Sequence, residues 1–340
     1  MAKRSTLRDV AALAGVTTAT VSYVLNDKKS ISDETKKRVQ AAIKELDYVP
    51  DLTARGLSMK DSKLIGVVVP QTEPGGTLMF RNGFYSEIVG SIEYHMRLHG
   101  YHVLISATDM DQNYLRLAKE RNLDGIIVIG MYPDEFYRQM KRSQVPIVLI
   151  DSYCDDHYYH NVRIDDAYGS YLATRHLLEY GHRDIAFFSG VLKQNGVMQK
   201  RLTGYRQALE EQGLPFSAAN LFEGKIDYDS GITMAHRMLD SGLPMTAVVA
   251  AADVLAIGVI KGLSDRGKHV PEDVSVIGYD DLEVSGYLAP GLTTIRQEIS
   301  LKGERAVQLL LNHIENPNVC KQEEILPISL VKRQSVRKLV

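Results

Sequence analysis

Between residues 64 and 279 the chain repeats one unit: a short apolar run, then a longer stretch with apolar residues at helical spacing. The runs are Leu64–Val69, His102–Ser106, Ile126–Ile129, Ile147–Ile150, Ile185–Phe188, Ala247–Ala250 and Val274–Tyr279. Consecutive apolar residues face both sides of a strand, so strands of this kind lie in parallel sheets covered by helices on both faces. Ile88–Leu98, Tyr168–Tyr180, Leu202–Gln212 and Val254–Leu263 read as such helices, and Gly100, Gly181 and Gly213 stop the first three. Two blocks of this alternation predict two α/β lobes with a cleft between them.

Residues 1–49 have another pattern. Thr6-Leu7-Arg8-Asp9 reads as a capping box, with Val10, Ala11, Leu13 and Ala14 following at helical spacing until Gly15. Thr17 opens a second helix carrying Thr20, Val21, Val24 and Leu25 as its apolar stripe. Ser32 caps a third, with Val39, Ile43 and Leu46 facing inward. This is either a small helical bundle with a polar face or a helix-turn-helix. The second helix presents Thr17, Thr18, Ala19, Ser22, Tyr23 and Asn26 away from its stripe, side chains suited to base edges in a major groove. Charge points the same way: residues 1–63 hold 12 Lys and Arg against 8 Asp and Glu, the remainder 28 against 34. A basic head on an acidic body suits a polyanion at the head alone, although an excess this small is also within ordinary scatter.

The whole chain of 340 residues is 44% hydrophobic and 24% charged, which suits a globular protein of two or three domains and excludes a disordered chain or coiled coil. Cys154 and Cys320 build no disulfide framework. No apolar run is long enough to span a bilayer, and Met1–Arg8 hold no apolar leader. The expectation is a cytoplasmic protein without membrane contact. No phosphate loop, nucleophile elbow or zinc helix is present, so no enzyme, cofactor or metal is expected. The cluster Cys154-Asp155-Asp156-His157-Tyr158-Tyr159-His160 has metal-ligating types, but no second pair is spaced to close a tetrahedron. It reads as a polar loop crossing between lobes, with Tyr158, Tyr159 and His160 at the pocket rim.

The stretch from Thr6 to Asn26, with Ile31-Ser32, Arg38-Val39 and Leu46-Asp47-Tyr48-Val49-Pro50, resembles the head of the LacI/GalR family of bacterial transcription regulators. Asp165-Asp166, Gly181-His182-Arg183-Asp184, Arg201-Leu202-Thr203-Gly204-Tyr205 and Pro271 to Asp281 are similar to that family's effector-binding core. The resemblance implies a helix-turn-helix head (1–49), a hinge (50–61) and a bilobed core like that of sugar-binding proteins. Its N-lobe would comprise 62–161 with about 292–320, and its C-lobe 162–291 with about 321–340, the chain crossing three times. Thr6, Leu7, Thr17, Thr18, Ala19, Ser22, Tyr23, Asn26 and Ser32 then face operator DNA. Tyr23 stands where many members carry arginine, which changes the base read there. Residues 51–60 are too short for a stable isolated helix. The resemblance has this segment fold on DNA, Ala54 letting two hinge helices approach and Leu57 wedging a base step; a plain tether is the other reading.

Ligands bind beyond the carboxyl ends of parallel strands, where Asp151 and Asp280 lie. With Arg201, Phe84 and Tyr85 they match positions that contact effector in the family. The alternative for Asp280 or Arg201 is a structural cap or inter-lobe salt bridge, and for Phe84 it is core packing. Ala252 stands where many members have asparagine, so one amide is missing beside Asp253. The function expected is a repressor acting as a homodimer, or a tetramer, on double-stranded operator DNA and switched by a sugar or sugar derivative. Its alternatives are a global regulator with a phosphorylated protein corepressor and a repressor dependent on a purine-type corepressor. A transport protein would lack the head. A sugar-modifying enzyme would use Asp151 and Asp280 as an acid–base pair.

Overall fold

The computed structural model describes residues 5–25, 31–48, 62–70, 81–108, 121–142, 145–153 and 158–339. The chain divides into two units, Met1–Ser62 and Lys63–Val340. Asn26, the hinge with Ala54 and Leu57, and Cys154–His157 lie outside the described residues.

The first unit contains α1 (Leu7–Ala14), α2 (Thr18–Leu25) and α3 (Asp33–Glu45). Thr6 closes the capping box: its N–H donates to Asp9 Oδ2 at 2.7 Å, and its Oγ1 accepts the Asp9 N–H at 3.3 Å. Gly15 ends α1 at φ 65°, a left-handed cap that costs glycine nothing. Val10, Ala11, Ala14, Val21, Val39 and Ala42 form the core, with Val24, Leu25, Ile43 and Leu46 packed around it. Leu13, expected inside, is 47% exposed. One register position off the stripe suffices to turn it outward, since Ala14 already fills the inner face.

The second unit has two sheets. The first contains β1 (Leu64–Pro70), β2 (His102–Thr108), β3 (Gly125–Ile129), β4 (Ile147–Ile150) and β5 (His160–Ile164); the second contains β6 (Ile185–Gly190), β7 (Leu221–Gly224), β8 (Ala247–Ala250), β9 (Ser275–Asp280) and β10 (Thr293–Gln297). β11 (Glu323–Leu326) joins the first sheet and β12 (Ile328–Val331) the second, giving orders β11-β5-β4-β3-β1-β2 and β12-β10-β9-β8-β6-β7. Among the described residues all pairings are parallel except β10 with β12. Each sheet reverses strand order beside its first strand, the arrangement that opens a crevice beyond the strand carboxyl ends.

This corrects the lobe boundaries. Residues 293–297, expected in the first lobe, pair with β9 in the second sheet, Thr293 opposite Ile277. Residues 323–326, expected in the second, pair with β5 in the first, Glu323 opposite Asn161. Only the helix between them, Ile299–Glu315, packs on the first lobe. The segment after Asp151 is likewise no crossing: it joins β4 to β5 within one sheet. Tyr159 and His160 are buried there, Tyr158 is exposed, and the Tyr159 hydroxyl donates to the Tyr137 carbonyl at 2.7 Å.

Around the sheets lie α4 (Gly83–Leu98), α5 (Asp134–Met140), α6 (Asp166–Glu179), α7 (Val197–Glu210), α8 (Tyr228–Asp240), α9 (Asp253–Asp265), α10 (Glu283–Tyr287) and α11 (Ile299–Glu315). α6 and α7 pack so closely that a Cβ on Gly204 would strike the Ala167 carbonyl. Gly204→Ala therefore forces the two helices apart and is expected to cost about 1–3 kcal/mol, read as a lower urea midpoint with unchanged slope.

Candidate functional site

The head sets its second helix by local bonds. Thr17 Oγ1 accepts the Thr20 N–H at 3.2 Å and fixes the start of α2. Arg38 on α3 donates to the carbonyls of Ala14 at 2.9 Å and Gly15 at 3.3 Å, pinning the turn between α1 and α2. Thr17, Thr18, Ala19 and Tyr23 are exposed, Val21 is buried, and Ser22 is half-buried. Thr6 and Ser32 are exposed helix caps, and Leu7 is half-buried against the head's core. A short-side-chain helix with a braced turn is the shape that enters a major groove.

In the second unit, Asp151 and Asp280 stand at the carboxyl ends of β4 and β9. Both have positive φ, 53° and 124°. For Asp280 this is a sparsely populated conformation that persists only where surroundings enforce it. Those surroundings are a chain of bonded polar side chains that curves back into a ring. Lys302, in the first turn of α11 and fully buried, donates to Asp151 Oδ1 at 2.7 Å and Oδ2 at 2.8 Å, and to Gln297 Oε1 at 2.6 Å. Gln297 Nε2 donates to Asp280 Oδ1 at 2.6 Å. Arg201 Nη1 lies 3.6 Å from that oxygen and donates to the Ala251 carbonyl at 2.6 Å. Arg201 Nε and Nη2 grip Asp166 Oδ1 at 2.8 and 2.7 Å. Asp166 Oδ2 accepts the Tyr153 hydroxyl at 2.8 Å, two residues from Asp151.

The five cleft residues expected from the sequence meet here. Phe84 packs edge-on against Tyr85, with its ring centroid 5.4 Å from Lys302 Nζ. The Tyr85 hydroxyl is held above its usual range by burial and then by the Asp151 and Asp280 charges. The Arg201 guanidinium covers the Tyr279 ring at 3.5 Å and spends its fork on Asp166. Sequence reading missed Lys302, Gln297, Asp166 and Tyr153. Lys302 had a signal: it shares a helical face with Ile299, Ala306 and Leu310, where a cation needs a carboxylate.

Burial also governs the carboxyls. Asp151 is raised by burial, with Lys302 opposing the rise. Burial pushes Asp280 up to about 6 against the pull of Arg201. Burial and the Asp280 charge push Asp253 up to about 7. Asp253 accepts the Leu282 N–H at 2.9 Å and the hydroxyls of Ser285 at 2.7 Å and Thr294 at 2.6 Å, so it anchors the turn after β9. A cavity of about 350 Å³ lies at the β10–α11 crossing, lined by Glu87, Asp281, Arg296, Gln297 and Arg333. It shares only Gln297 with the ring, and both its arginines are paired with Asp281 at 2.7 Å.

A carboxyl raised in the native state binds its proton more tightly there than in the unfolded chain. Its stabilising effect is complete below about pH 4 and is lost as pH rises toward the folded value. Asp253→Asn keeps two acceptor bonds and donates to Thr294. It is expected to remove a decline of up to about 1.4 kcal/mol per pH unit between about pH 4 and 7, measured by urea unfolding across that range.

The model of bacterial regulatory proteins of the lacI family matches residues 6–51, and that of the periplasmic binding protein-like domain matches residues 174–336. The ribose operon repressor of Haemophilus influenzae is 32% identical over 98% of this chain and 99% of its own length. Catabolite control protein A of Priestia megaterium is 34% identical, again over 98% and 99%. The solved structure of the Lac repressor dimer bound to operator and the anti-inducer ONPF superimposes with a TM-score of 0.85 at 30% identity, covering 98% of this chain and all of that one.

Proposed function

The chain belongs to the LacI family of bacterial regulatory proteins, and from that premise we propose that it is a repressor switched by a sugar held between its lobes. It binds a pseudo-palindromic operator as a homodimer, one head per half-site. Thr17, Thr18, Ala19, Ser22 and Tyr23 meet base edges; Thr6, Leu7 and Ser32 lie against the backbone of the duplex. Asp151, Asp280, Arg201, Phe84 and Tyr85 form the effector site. The observation that carries this reading is the polar ring, which brings carboxylates at the carboxyl ends of both sheets together with an arginine from α7.

The same ring speaks against turnover. Both Asp151 oxygens accept from Lys302, and Asp280 accepts from Gln297. Neither carboxyl is disposed as a general acid facing a general base.

The test begins with duplexes selected from a random pool by the full chain, followed by titrations with D-ribose, cellobiose and related neutral sugars. A sugar at about 100 times its Kd is expected to stabilise the protein by about 2.7 kcal/mol and to change affinity for the selected duplex. Tyr23→Ala is expected to weaken that duplex by about 10- to 100-fold and random DNA far less. Sequence-indifferent DNA binding, or consumption of the bound sugar, would overturn the reading. Stabilisation by none of the sugars would shift it to a purine-type or protein corepressor.

A further inference from the structure

The ring contains one residue whose place the effector reading leaves unexplained. Lys302 has three N–H donors and uses all of them, two on Asp151 and one on Gln297. Asp151 and Lys302 belong to the first lobe, since β4 is in its sheet and α11 packs against α4, β3, β4 and β5. Gln297 belongs to the second lobe as the last residue of β10, paired with Ile328. The Lys302–Gln297 bond therefore spans the boundary at one chain crossing. It has a direction: Gln297 Oε1 is occupied by the ammonium, so the amide N–H₂ is turned onto Asp280. The Tyr153–Asp166 bond spans the boundary again at the crossing after β5.

We propose that Lys302 is a positioning residue that ties the two lobes together from inside the cleft, and that a polyhydroxyl effector acts by competing with its ammonium for Asp151. This rests on the effector reading for its second half only. The tie needs no ligand. An effector hydroxyl donating to Asp151 takes an oxygen that otherwise holds Lys302. It thereby loosens the Lys302–Gln297 bond and frees the second lobe to reorient. Asp151 is thus the point where ligand occupancy and lobe orientation exchange.

The experiment uses the full chain with Cys154→Ser and Cys320→Ser, and spin labels at Glu135→Cys in the first lobe and Asp240→Cys in the second. Both positions are solvent-exposed, with side chains 59% and 61% accessible. Lys302→Met strands the Asp151 carboxylate, and its melting temperature is expected to fall by roughly 5–15 °C. Lys302→Met with Asp151→Asn removes both charges. Asparagine tolerates the positive φ of 53°, so most of that loss is expected to return. A tie makes a second, separate demand: the interlabel distance shifts or broadens in both variants, because the bond to Gln297 is gone in each. Lys302→Arg, which keeps a donor for both partners, restores the narrow distribution. Distances in both methionine variants that superimpose on the parent would overturn the tie, whatever the melting temperatures do.

The two readings fail separately. If D-ribose and cellobiose stabilise the parent but the distances ignore Lys302→Met, the tie is wrong and the effector site stands. If the distances respond while no sugar stabilises the parent, the tie stands and the sugar reading falls. If a sugar binds and leaves the parent's distance unchanged, competition for Asp151 is overturned.

Discussion

Taking the Lys302 ammonium out of water costs several kcal/mol before any partner is met. The surrounding structure is organised around meeting that cost. Asp151 supplies both oxygens, Gln297 supplies the third acceptor, and the Phe84 ring faces the charge. A half-satisfied network would be worse than an apolar one. Gln297 must therefore sit where β10 ends, and Asp280 must turn at a φ few residues adopt. Arg201 reaches the same carboxylate from α7, held by Asp166 and the Ala251 carbonyl. Glycine enters the same account: Gly204 brings α7 against α6, the helix that begins at Asp166.

The sequence reading of the fold succeeded where one strand carries its own signal and failed where a strand depends on a neighbour. Ile147–Ile150 and Ala247–Ala250 are buried on both faces and match the apolar runs residue for residue. β5 reads His-Asn-Val-Arg-Ile and β11 reads Glu-Glu-Ile-Leu, with Ile325 55% exposed. β11 is an edge strand that is only partly covered, while β5 is buried nearly throughout and is hidden from an apolar pattern by its His160, Asn161 and Arg163. β10 and β11 were assigned to the wrong lobes because each pairs across a chain crossing. Nothing local tells Thr293–Gln297 which sheet it will extend. The head was more legible because its signals are local: caps at Thr6, Thr17 and Ser32, and a glycine stop.

At the cleft, the apolar runs and the rule that ligands gather at strand carboxyl ends pointed to Asp151 and Asp280. Arg201, Phe84 and Tyr85 came from resemblance. What no pattern carried was the partnership. Lys302 is 151 positions from Asp151, and Arg201 is 35 from Asp166. A misplaced charge on an apolar helical face announces that a counter-ion exists, but only the fold names it.

The ring also limits what chemistry an effector can bring. It holds three carboxylates, Asp151, Asp166 and Asp280, against two cations, Lys302 and Arg201. Every Lys302 donor is already used, and the Arg201 guanidinium is committed to Asp166, Ala251 and Asp280. A phosphate or carboxylate entering this site would add charge to an acidic enclosure whose Lys302 and Arg201 cations already face carboxylates. A hydroxyl carries its own donor and no charge, so it can compete with lysine for a carboxylate oxygen without adding to the negative charge of the site. On the proposed effector reading, net charge and donor inventory agree: neutral polyols are expected to bind in preference to their phosphorylated forms, and the preference would come from the protein's own ion pairs.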